Sequence, residues 1–73
     1  MAYDIGLMIK IIRTKAKLTQ QEFALDLNRI EPKDIKIRPV DISNYELGRH
    51  TPNAQKFLKI MEYGQQLKST YLD

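Results

Sequence analysis

Seventy-three residues, with twelve Lys and Arg against nine Asp and Glu and no cysteine, are expected to make one small domain. A chain of this size buries only about 60% of its unfolded surface, so its stability rests on a thin margin of packing. The absence of cysteine excludes disulfides, thiolate nucleophiles and thiolate metal sites. Apolar stretches are short and interrupted by Lys10 or Arg13, so no membrane span and no signal-type segment is expected, and the reading is a soluble cytoplasmic protein. The net charge of +3 is spread along the chain, which permits a nucleic-acid partner without specifying one.

Residues 5–17 set Ile5, Ile9, Ile12 and Ala16 at helical spacing, with Lys10, Arg13, Lys15 and Lys17 mostly off that stripe. This predicts a first helix. Thr19-Gln20-Gln21-Glu22 then supplies a capping box that satisfies two otherwise orphaned amides, starting a second helix over about 19–29 with Phe23, Ala24 and Leu27 inward. Pro32 limits its continuation. Residues 29–38 alternate basic and acidic side chains around Ile30, Ile35 and Ile37. Ile35-Lys36-Ile37 has no evident partner strand, so the segment is expected to be a loop pinned by one or two isoleucines.

Pro39 suits a first helical position and Gly48 a helix end, which predicts a third helix over 39–47 with Ile42, Tyr45 and Glu46 on one face. Asn53 is a candidate N-cap for a fourth helix over 53–63, with Ala54, Phe57, Leu58 and Met61 as its buried stripe. Gly64 either caps this helix or lies within one bent helix, since Ile60, Tyr63, Leu67 and Tyr71 continue the period. Leu67, Tyr71 and Leu72 are either a small dimer surface or a frayed end.

Gly6, Ile9, Arg13, Leu18-Thr19-Gln20, Glu22, Ala24, Leu27, Ile42-Ser43, Tyr45-Glu46, Gly48-Arg49 and Pro52, in this order and spacing, resemble the helix-turn-helix domain of the phage repressor and Cro family, also called the XRE family. The resemblance covers residues 5 to about 63. It implies an all-α bundle of four to five helices, similar to the lambda repressor DNA-binding domain, with the third helix as recognition helix. Pro39, Val40, Ser43 and Asn44 match the family's base-reading positions.

Side-chain chemistry supports part of that set. Asn44 can bond adenine N6 and N7 together, Val40 can pack on a thymine methyl, and Ser43 suits a base or a phosphate. Asp41 belongs to the helix dipole instead, because a phosphate would repel it. The resemblance also places a DNA phosphate at the first turn of helix two beside Gln20, and a phosphate-contacting cation at Arg49 with His50 as its neighbour. Arg38, at the mouth of helix three, can reach phosphate or guanine. Arg13 and Glu46 match a pair that joins helix one to helix three in the family, an arrangement that offsets the cost of an inward carboxylate.

Two departures stand out. Between helices two and three, where such motifs have a tight turn of about 3–4 residues, this chain spends residues 29–38. That insert is either a solvated loop or an added DNA contact through Arg29, Lys33, Lys36 or Arg38. The other is Tyr63 directly before Gly64, where the family usually has leucine.

The expected function is a sequence-specific double-stranded DNA-binding regulator of transcription, such as a small phage or plasmid repressor acting as a homodimer on a palindromic operator. A helical protein-interaction module, antitoxin-like or anti-regulator, is the alternative: Val40, Leu47 and Asp41 favour it and Ser43, Asn44 and Arg49 oppose it. One histidine, two distant serines and no spaced ligand set leave no catalytic, metal, cofactor or small-molecule site expected.

Overall fold

A computed structural model describes the backbone of residues 4–72 and the side chains of residues 4–67. Four α-helices and no strands occur among the described residues: α1 (Ile5–Lys15), α2 (Gln20–Leu27), α3 (Pro39–Glu46) and α4 (Ala54–Leu72). Each start has a local chemical cause. Asp4 accepts from the Leu7 amide at 3.0 Å, a cap that its Asp-x-x spacing offers but that periodicity alone passes over. Thr19 and Glu22 form the reciprocal box, Glu22 N–H donating to Thr19 Oγ1 at 3.1 Å and Thr19 N–H to Glu22 Oε1 at 2.9 Å. Asn53 Oδ1 accepts from the Lys56 amide at 2.9 Å and so opens α4.

The ends of α1 and α3 share one motif. After α1, Leu18 N–H reaches back to Arg13 O and Lys17 N–H to Thr14 O; after α3, Arg49 N–H reaches Asn44 O and Gly48 N–H reaches Tyr45 O. Both are Schellman closures, which need a left-handed residue. Gly48 adopts it at φ 76° without penalty, whereas Lys17 adopts it at φ 60°, a conformation costing a side-chain-bearing residue roughly 1–2 kcal/mol.

The core is built from Ile9 of α1, Phe23, Ala24 and Leu27 of α2, Ile37 of the insert, Ile42 and Tyr45 of α3, and Ile60 of α4. The Phe23 and Tyr63 rings meet edge to face at 5.3 Å, and Tyr63 Oη bonds Asp26 Oδ2 at 3.0 Å, tying α4 to α2. α3 packs against both α1 and α2.

α4 follows the continuous one of its two expected readings and departs from expectation in its buried face. It runs unbroken through Gly64, because that glycine is not a cap: an added Cβ would lie 3.0 Å from Ile12 Cδ1, so the missing side chain lets α4 approach α1. Its buried stripe is rotated. Ile60 and Lys59 are buried, Phe57 and Met61 are half-buried, and Ala54 and Leu58 face solvent, Leu58 at 66% exposure. The insert covers the Lys59 side of the helix, and the 60–63–67 continuation of the period, not the 54–58 half, marks the inward face. Leu67 is half-buried; a dimer surface involving the Tyr71 and Leu72 side chains lies outside the described residues.

The insert carries no strand. Asn28 holds its two ends together, its Nδ2 donating to Ile37 O at 2.9 Å and its Oδ1 accepting from Ile37 N–H at 2.8 Å. Ile37 is fully buried while Ile30 and Ile35 are partly so. From α4, the Lys59 ammonium donates to Pro32 O at 2.9 Å and Ile35 O at 2.7 Å.

Candidate nucleic-acid interface

α3 is an eight-residue helix with two unlike faces. Ile42 and Tyr45 are buried, and burial pushes the Tyr45 phenol above its ordinary pKa. Val40, Ser43, Asn44 and Leu47, at i, i+3, i+4 and i+7, share the opposite side. Val40 is 51% exposed and Leu47 62%, while Ser43 and Asn44 are half-buried between them. The Ser43 and Asn44 side chains make no hydrogen bond among the described residues, so their polar groups are available to a partner.

Fastening to α1 and α2 at the C-terminal end holds that face outward, and a local cap closes the N-terminal end. At the C-terminal end, Arg13 Nε donates to Glu46 Oε2 at 2.7 Å and Arg13 Nη2 to Glu46 Oε1 at 3.0 Å, a bidentate pair. Arg13 Nη1 also donates to Leu18 O at 2.9 Å. Glu46 draws in α2 as well, because Gln20 Nε2 donates to Glu46 Oε1 at 3.1 Å. One carboxylate therefore joins α1, α2 and α3, and its bonds hold the Arg13 guanidinium above its ordinary pKa. Close backbone contact reinforces the joint: a Cβ on Gly6 would collide with the Tyr45 carbonyl and lie 3.1 Å from that of Glu46.

At the N-terminal end, Asp41 Oδ2 accepts from the Arg38 amide at 3.0 Å and from Arg38 Nε at 3.3 Å, and Oδ1 accepts from Nη2 at 3.1 Å. The bonds from Arg38 hold the Asp41 carboxyl below its ordinary pKa, with Lys56 adding in the same direction. Lys56, in the first turn of α4, thus stands near the mouth of α3. Sequence periodicity gave no sign of this, because Asp41 and Lys56 belong to different helices.

The other candidate residues fall around this helix as follows. Pro39 is exposed at its first turn, and Arg38, Arg49, His50 and Lys36 are exposed beyond its ends. Gln20 is half-buried at the start of α2; its side chain is turned to Glu46. Since the capping box engages the Thr19 and Glu22 amides, the first-turn N–H groups of Gln20 and Gln21 remain outside it, at the positive end of the helix dipole.

Among the described residues no cluster of three or more His, Asp or Glu could hold a metal ion, and no helix is long and apolar enough to cross a membrane. No curated protein and no solved structure matches the chain significantly. A family model described as a helix-turn-helix domain matches residues 6–73. That span takes in α2, α3, α4 and all of α1 but Ile5, and the chain belongs to the helix-turn-helix domain family.

Proposed function

We propose that this protein is a sequence-specific double-stranded DNA-binding regulator of transcription, most similar to the small phage- and plasmid-type repressors of the repressor/Cro (XRE) family, and that α3 reads the major groove. The observation that carries the reading is the outward Val40–Ser43–Asn44 face, with Val40 exposed and Ser43 and Asn44 half-buried, on a helix fastened to α1 and α2 through Glu46. A bundle that holds such a helix rigidly meets the positional demand of base readout. Asn44 pairs with adenine, Val40 contacts a thymine methyl, and Ser43 serves base or phosphate, with Pro39 alongside. Phosphates are held by the first-turn amides of α2 next to Gln20, by Arg49 and His50, and by Lys36 and Arg38 at the other end.

The working form is a homodimer on a palindromic operator in the cytoplasm, because one eight-residue helix reads too few base pairs alone. The chain acts without cofactor and without catalysis. A second reading, a helical module of the antitoxin or anti-regulator kind, is favoured by the exposure of Val40 and Leu47 at the two ends of the α3 face, since apolar side chains suit a protein groove.

Selection of bound duplexes from a random pool separates the two. The DNA reading expects one enriched motif for the wild-type chain, and for Asn44→Ala a relaxed motif at a single position, with affinity for the selected duplex reduced by about 1–3 kcal/mol. No enrichment, or an identical motif for both chains, overturns it.

A further inference from the structure

Lys59 lies on the inward side of α4 and is 1% exposed. Among the described residues its ammonium is held by no carboxylate; it gathers the carbonyls of Pro32 and Ile35, at 2.9 and 2.7 Å, both in the insert. Asn28 binds both backbone groups of Ile37, and the next residue, Arg38, is the N-cap of α3. The insert is therefore gripped at its middle by α4 and at its end by the C-cap of α2. A tight turn would set the angle between α2 and α3 by covalent geometry, but a segment of this length cannot. Noncovalent bonds must do so.

We propose that Lys59 is a positioning residue for DNA reading, which sets the pose of α3 by holding the insert through the Pro32 and Ile35 carbonyls. The inference rests on α3 being the DNA-reading helix. Stability alone gives little reason for an ammonium here, because an apolar side chain of similar length fills such a space without the cost of desolvating a charge. That cost is visible: burial pushes the Lys59 pKa down, Lys36 adds to the effect, and Asp34 and Glu31 oppose it. A group with several donors on one nitrogen joins two carbonyls three residues apart, which a methionine cannot do.

The test compares Lys59→Met with the wild-type chain on two duplexes, one selected from a random pool by the wild type and one of scrambled sequence. Positioning expects affinity for the scrambled duplex within about threefold of wild type, because phosphate contacts persist, and a loss of about tenfold in preference for the selected duplex. Hydrogen exchange without DNA is expected to rise in residues 28–38 and the first turn of α3 and to stay unchanged in α1. An unchanged preference, or an equal fall on both duplexes, overturns the inference. If Lys59→Met does not fold, Asn28→Ala releases the same insert at its other end and is judged by the same outcomes. Failure of the wild type to select any motif overturns the DNA reading itself, and this inference with it; an unaltered exchange pattern in a folded variant overturns the positioning role alone.

Discussion

Asp41 accepts three bonds from Arg38, one from its amide and two from its guanidinium. From sequence it is an acid in the first turn of a helix, stabilised there by the dipole. The structure adds a specific cation, which changes the account of Arg38 too: a candidate DNA contact whose side chain is 73% exposed comes with its own carboxylate. Because the folded carboxyl lies below its ordinary pKa of 3.8, its stabilising contribution is complete above that value and disappears as pH falls through the folded pKa. Thermal unfolding followed across a pH series is therefore expected to show the wild-type melting temperature dropping more steeply below about pH 4 than that of Asp41→Asn. Parallel curves would remove Asp41 from the acid response.

At the scale of elements, two glycines that both lie within helices do different things. Gly6 lies where the start of α1 meets the end of α3, and a Cβ there strikes main-chain carbonyls, which cannot turn aside. Gly64 faces the end of the Ile12 side chain, 3.0 Å from where a Cβ would lie, and a side chain can yield. Gly6→Ala is expected to lose about 1–3 kcal/mol through overpacking despite its gain in helix propensity. Gly64→Ala is expected to remain within about 1 kcal/mol of wild type, the same gain offsetting a milder contact. Urea unfolding midpoints decide the matter, and equal losses would show that the two contacts are alike. The Thr19–Glu22 box, Pro39 and Gly48 left local signals in the sequence because each acts within a few residues, whereas the Asp4 cap of α1 was passed over. The inward face of α4 was not legible, because Leu58 and Ile60 are equally apolar and only tertiary contacts, the bonds of Lys59 to the insert and the contacts of Tyr63 with Phe23 and Asp26, tell which side of the helix is covered.

Across the whole molecule, Glu46 is the joint. Its side chain is 6% exposed and that of Arg13 15%, and together with Gln20 they hold three helices whose contacts must fix the pose of α3. Removing the cation leaves the carboxylate buried with one neutral amide, and breaking a buried pair typically costs about 3–5 kcal/mol. Gln20 offsets part of this, so Arg13→Leu is expected to lose about 3 kcal/mol, which for a domain of this size lowers the melting temperature by more than about 10 °C. Calorimetry checks the figure, and a melting temperature within a few degrees of wild type would show that the network does not bear on stability. DNA binding measured well below the transition should weaken through displacement of α3 alone.

Local chemistry, written in the sequence, determined the all-helical class, the capping box that opens α2, the Pro39 and Gly48 that bound α3, and the inward turn of Ile42 and Tyr45: capping, proline geometry and the 3.6-residue period act over a few residues. Ser43 and Asn44 were readable as candidates for the same reason. Tertiary structure alone decided how the insert is held, since the bonds from Lys59 to Pro32 and Ile35 span 27 and 24 residues and leave no local pattern. It also decided that Gln20 turns to Glu46 and that Lys56 stands near Asp41. A buried lysine and an exposed one have the same one-letter code; what distinguishes them is which distant backbone carbonyls the fold brings within reach.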